Sequence, residues 1–201
     1  MNTKAKRHFQ KVDPVLFRAI ERVGELEEIV PREPKDYFSS LCRDIISQQL
    51  AGAAANAILG RFHGLFPRKK PSVKHLSTLS TEELRAIGMS WAKARYIKDA
   101  GQKLESGELR LSHLQQLGDT EAIAELTKIK GVGQWTAEMF LMFSLGREDI
   151  FSFGDLGLRK GMQELYGMRE FSQKKAEFIV ARWSPYRTFA SRILWKIKDA
   201  R

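Results

Sequence analysis

The chain has 201 residues, 43% of them hydrophobic, enough to bury a core in one compact domain or two apposed lobes without covalent staples. Its one cysteine, Cys42, excludes an intrachain disulfide and a four-thiolate zinc or iron–sulfur site, and points to a reducing compartment. Lys and Arg outnumber Asp and Glu 34 to 24, a formal charge of +10 that suits a polyanionic partner without choosing among DNA, RNA and anionic lipid.

The stretch Met1–Lys11 is polar and basic and gives no signal peptide, and no apolar run approaches bilayer length. The expectation is a protein with no membrane partner, in the cytoplasm or nucleoid of a bacterium or archaeon, or in the nucleus of a eukaryote. Apolar residues recur at helical spacing along most of the chain, no segment alternates as a strand does, and turn residues interrupt every helix-length, so an all-α fold of about ten short helices is expected.

In chain order, Pro14 and Pro34 suit first helical turns. Phe38, Leu41, Cys42, Ile45 and Ile46 then mark the buried face of a helix that ends at the polar stretch Ser47-Gln48-Gln49-Leu50. Phe66–Ser72, with Arg68, Lys69 and Lys70, reads as a basic surface loop whose charge suits backbone phosphates, and Ser80-Thr81-Glu82-Glu83 as an N-terminal capping signal. A weak internal echo follows: Glu83–Gly88 before Trp91, and Glu125–Gly131 before Trp135, each reading helix, tight turn, helix. Pro185 is expected to open the last helix, whose apolar stripe runs through Tyr186, Phe189, Ala190, Ile193 and Ile197 and leaves Trp195 on the face of Thr188, Ser191 and Arg192.

The strongest local signal is Leu126–Ala137. Leu126 and Ile129 anchor a first helix, Gly131 and Gly133 permit a turn with bare backbone, and Val132 plugs its interior. Amides near Gly131, Val132, Gly133 and Gln134, with Thr136 beside them, then suit a phosphate, helped by the positive end of the next helix, a contact that positions without reading sequence. Twenty residues past Trp135, Asp155 stands where a helix begins. An N-cap is its plain role, and the helix terminus that it caps also favours a negative charge there. Asp149, before Ile150-Phe151, suits capping or surface pairing. His8, His63, His75 and His113 are isolated, without metal-ligand spacing, and no serine-nucleophile elbow occurs.

With the hairpin and the downstream Asp155, the chain resembles the helix-hairpin-helix DNA glycosylase superfamily from about Asp36 to Lys198. It is most similar to the short form of its 3-methyladenine DNA glycosylase II branch. The resemblance implies a two-lobed fold, with one lobe of about residues 1–35 plus 146–201 and another of about 36–145 containing the hairpin at about 122–142, and an active site in the interlobe cleft. It implies a monomer acting on double-stranded DNA that contains damaged bases, with no cofactor required and with Asp155, ahead of the competing Asp149, as the carboxylate that stabilises the oxocarbenium-like transition state of N-glycosidic cleavage. The carbonyls of Thr127, Ile129 and Val132 would hold a structural Na⁺ or K⁺. Trp135 occupies the place of the lysine that strand-nicking members carry, so no Schiff base forms by that route and an abasic site is the expected product. Trp135 and Trp195 match aromatic walls of the base pocket, joined by Trp91 at its rim, and Met139 stands where relatives carry an aromatic. An electron-rich indole holds an alkylated, cationic purine by stacking and cation–π attraction. Gln48, Gln49 and Leu50 match the segment that fills the gap left by an extruded nucleotide. Arg187, at a helix start after Pro185 and Tyr186, reads equally as a phosphate contact or as an ordinary surface arginine. Two rival readings are a non-catalytic helix-hairpin-helix DNA-binding protein, which Asp155 and the tryptophans disfavour, and a glycosylase for deaminated or mismatched bases, whose pocket would need hydrogen bonds to a neutral base edge.

Overall fold

A computed structural model describes residues 3–199. It is all-helical, as expected, with twelve α-helices and three short 3-10 turns and no strand among the described residues. The helices divide into two compact units, Pro31–Leu145 and the segments that flank it on either side.

The flanking segments contribute α1 (Thr3–Val12), α2 (Pro14–Val23), α10 (Leu156–Tyr166), α11 (Gln173–Ala181) and α12 (Arg187–Asp199) to one unit. Its core joins Phe9, Leu16, Ile20, Phe151, Leu158, Met162, Val180, Trp183, Ile193, Leu194 and Ile197. Burying such side chains contributes about 1.5–3 kcal/mol each relative to leaving them in water. The α10–α12 contact is close because Gly161 has no side chain: a Cβ there would fall 2.7 Å from the carbonyl oxygen of Leu194. Asp13, 2% exposed, is the polar hub. It caps α2 by accepting the Leu16 amide at 3.0 Å, and its other oxygen accepts the Tyr166 hydroxyl at 2.7 Å and the Trp183 indole N–H at 2.9 Å. Burial, then the bond to Asp13, pushes the Tyr166 phenol well above its ordinary range.

Pro185 does not open the last helix; α12 begins at Arg187. Its first amides are met by the preceding segment: Arg187 N–H donates to the Asp149 carboxylate and Thr188 N–H to the carbonyl of Glu148. A helix end satisfied from outside needs no local cap, so its start was hidden from the sequence.

The other unit is built from α3 (Tyr37–Ser47), α4 (Gly52–Gly64), α5 (Val73–Thr78), α6 (Thr81–Ala86), α7 (Trp91–Glu105), α8 (Asp119–Thr127) and α9 (Gln134–Phe143). Helix α3 packs on α4, α7 and α9 and buries Phe38, Leu41, Cys42, Ile45 and Ile46, the stripe its periodicity marks. Ser80 caps α6 in a complete capping box with Glu83, as its motif foretells. Residues 66–72 hold a short 3-10 turn in which Arg68 and Lys69 take positive φ and stay exposed.

Candidate hairpin and catalytic carboxylate

Helices α8 and α9 are joined by a turn that steps down by short backbone bonds, Ile129 N–H to Leu126 and Val132 N–H to Ile129. Leu126, Ile129 and Val132 are buried at its base. Gly131 is obligatory there, since its φ is +78° and a Cβ would sit 2.1 Å from the ring of Tyr96. Gly133, at φ −88°, is not required by conformation; it caps α9 without a side chain and has open space beside it. The amides of Gly133 and Gln134 meet no acceptor among the described residues, and so keep the first turn of α9 open to an anion. The Lys130 amide, by contrast, is taken by Asp99 at 2.9 Å.

Some expected contacts have other work. Val132 and Thr136 are buried, and the Thr136 hydroxyl accepts the Gln48 side-chain amide at 3.1 Å. The same Gln48 amide donates to the Gly131 carbonyl at 3.0 Å, which ties the end of α3 to the hairpin. Gln48 therefore acts as a strut between the end of α3 and the hairpin. The exposed residues of this turn are Gln49, held at φ +56°, and Leu50. From the other side Lys93 donates its ammonium to the carbonyls of Ile46 at 2.8 Å and Gln48 at 2.5 Å, closing the C-terminus of α3. Partial burial pulls the pKa of this lysine down. Nothing in the local sequence signals either strut, since their partners lie 45 or more residues away.

Arg187 is also not a free phosphate ligand. Its guanidinium makes a two-pronged pair with Asp149, at 2.9 and 3.1 Å, and Asp149 accepts the Ser184 hydroxyl as well. Asp149 is thus consumed by pairing, the role its position suggests.

Asp155 caps α10, and only 8% of it is exposed. Its Oδ1 accepts the Leu158 amide at 2.7 Å and the Trp195 indole N–H at 2.9 Å. Both donors meet the same oxygen and fix the carboxylate at the N-terminus of α10. Gly157 makes the indole bond possible, for a Cβ there would lie 2.8 Å from Trp195 Cδ1 and 3.0 Å from Asp155 Oδ1. The face of α12 that carries Thr188, Ser191 and Trp195 is turned into the protein. Thr188 and Ser191 are buried, and the Thr188 hydroxyl donates to the Arg147 carbonyl at 2.6 Å while accepting the Ile150 amide at 3.0 Å. That stripe grips the strand of chain leading to Asp155, and Trp195 continues it to the carboxylate itself.

Trp135, on the second residue of α9, and Trp91, on the first of α7, are 44% and 47% exposed. Met139 is buried, and Trp183 lies wholly in the core. Among the described residues no group of three or more His, Cys, Asp and Glu side chains could hold a metal, and no helix is long and apolar enough to cross a membrane.

A glycine turn with open amides in one unit and a helix-capping carboxylate under an indole in the other are the features of a helix-hairpin-helix protein. The chain belongs to the HhH-GPD superfamily of base excision DNA repair proteins, whose family model matches residues 42–185. It is 34% identical over 200 residues to DNA-3-methyladenine glycosylase 1 of Schizosaccharomyces pombe, covering 96% of this chain and 86% of that protein. The DNA-3-methyladenine glycosylase of Saccharomyces cerevisiae is 31% identical over 172 residues, and there the match spans only 58% of the relative. Among solved structures, a DNA-3-methyladenine glycosidase from Bacillus halodurans superposes with a TM-score of 0.86 at 40% identity, covering 98% of this chain and 90% of that one. The Schizosaccharomyces pombe 3-methyladenine DNA glycosylase in complex with abasic DNA gives 0.84 at 33% identity, with 96% of each chain covered.

Proposed function

We propose that the chain is a monofunctional DNA glycosylase of base excision repair that hydrolyses the N-glycosidic bond of alkylated bases such as 3-methyladenine in duplex DNA and leaves an abasic site. The observation that carries the reading is Asp155, held as an acceptor by Leu158 N–H and the Trp195 indole. As the glycosidic bond breaks, positive charge grows on the sugar, and a carboxylate fixed in advance lowers that barrier without reorganising. The carboxylate also orients the attacking water. Trp135, Met139 and Trp195 are the side chains we assign to the extruded base, whose alkylation makes it cationic and a ready leaving group. Trp135 stands where a nucleophilic lysine would be needed for strand nicking, so no amine attacks the sugar. Gln49 and Leu50 are the side chains we assign to the vacated stack.

The open amides of Gly133 and Gln134 take a backbone phosphate. The carbonyls of Thr127, Ile129 and Val132 are the proposed ligands of a Na⁺ or K⁺ ion; Ile129 already accepts Val132 N–H and has one lone pair left for it. If the ion is present, DNA affinity falls when both cations are replaced by a bulky organic one, and an unchanged affinity removes it from the account. The names of the relatives above support the substrate class. The test is base release from duplexes carrying methylated purine, ethenoadenine, hypoxanthine or uracil, developed with and without alkali. Release of methylated bases with strand breaks only after alkali supports the reading; breaks without alkali, or release of uracil alone, contradict it.

A further inference from the structure

The first of the two echoed hairpins is not used by the function above. Helix α6 ends at Ala86, the chain turns at Gly88 with φ +100°, Ser90 caps α7 by accepting the Lys93 amide, and the exposed Trp91 follows. Gly131, the Gly133 cap and the exposed Trp135 repeat this order at the second hairpin.

Two arginines clasp the first turn. Arg61 Nε donates to the Ile87 carbonyl at 2.7 Å, and Arg85 Nη1 to the Met89 carbonyl at 2.9 Å. The Arg61 guanidinium lies so close that a Cβ on Gly88 would come within 3.0 Å of its Nη2. Each bond uses one of the five N–H donors of a guanidinium. Neither arginine forms an ion pair among the described residues, whereas Arg43, Lys103, Lys128 and Arg187 all have carboxylate partners. The Ser90 amide likewise meets no acceptor there. Two anchored, exposed cations and an open amide on one glycine turn call for an oxyanion.

We propose that the α6–α7 turn is a second phosphate grip, in which Arg61, Arg85 and the Ser90 amide bind a backbone phosphate of duplex DNA beside the wedge turn. The proposal rests on the reading that the chain acts on duplex DNA. A cavity of about 300 Å³ links it to the wedge turn, lined by Leu50 and Ile46 together with Arg85, Gly88 and Lys93. Lys93, on the first turn of α7, holds the carbonyls that precede Gln49 and Leu50. A strand anchored at the α6–α7 turn is therefore held next to the side chains that enter the stack.

The test is the Arg61→Gln, Arg85→Gln double variant, in which glutamine keeps a donor for the turn carbonyls and removes both charges. Binding to an undamaged duplex is measured over a salt series, with single-turnover base release at saturating enzyme beside it. The proposal expects affinity to fall by roughly tenfold and the magnitude of the log K against log salt slope to drop by about 1, as one lost phosphate contact requires. Both return in the Arg61→Lys, Arg85→Lys variant, and the release rate stays unchanged. Affinity and slope equal to those of the wild type, or a loss of affinity with the slope unaltered, overturn it. A wild-type chain that releases alkylated bases while the variant binds normally defeats this proposal alone; a wild-type chain that binds no duplex defeats the functional reading with it.

Discussion

At the scale of single residues, three positions carry the predictions. Gly157 is the least obvious, since it does no chemistry and yet sets the distance between Trp195 and Asp155. Gly157→Val should displace the indole, slow base release by on the order of tenfold for a lost charge-assisted bond of about 1.5 kcal/mol, and leave duplex binding intact. A variant that turns over at the wild-type rate would show that the indole bond is idle. Asp44 is a second case: its carboxyl is 17% exposed, and burial pushes its pKa up to about 6 from an ordinary 3.8, against the opposing pull of Arg43 and Arg32. Between about pH 4 and 6 the folded protein holds a proton that the unfolded chain has released, so the contribution of this group to stability falls as pH rises through that window. Asp44→Asn should remove the decline and gain on the order of 2 kcal/mol above pH 7 in urea unfolding. An identical pH slope in the variant would exclude Asp44 as its source. Third, Asp13→Ala should cost roughly 3 kcal/mol or more, because it leaves the Leu16 amide, the Tyr166 hydroxyl and the Trp183 indole without their acceptor; a loss below about 1 kcal/mol would contradict the hub.

At the scale of elements, the helices were largely legible because a buried face repeats every three to four residues whatever its partner. The α3 stripe, the Ser80 capping box and the glycine hairpin of α8 and α9 are local patterns and stand where the sequence puts them. What could not be read were roles fixed by distant partners. Gln48 looks like a solvated polar residue until Gly131 and Thr136 are brought beside it, and Arg187 looks free until Asp149 is. Thr188 and Ser191 make a polar face on paper and a buried clamp in the fold, because their hydroxyls are satisfied by the backbone of residues 147–150. The same elements yield a stability prediction. Gly161→Ala should cost about 1–3 kcal/mol in chemical denaturation, since its methyl group meets the backbone of Leu194, which cannot rotate aside. A neutral effect would mean that α10 and α12 pack less tightly than described.

At the scale of the whole molecule, a charge of +10 supplies attraction to nucleic acid but no chemistry. The central claim, that Asp155 is the catalytic carboxylate, is tested most directly by Asp155→Asn in single-turnover release of 3-methyladenine, with duplex affinity measured on the same preparation. Asparagine keeps the cap and an oxygen for the Trp195 indole, so the account predicts normal folding and binding with release slowed by at least about a hundredfold, the scale of one lost electrostatic contribution of roughly 3 kcal/mol. Release at the wild-type rate from a folded, DNA-binding variant would contradict it.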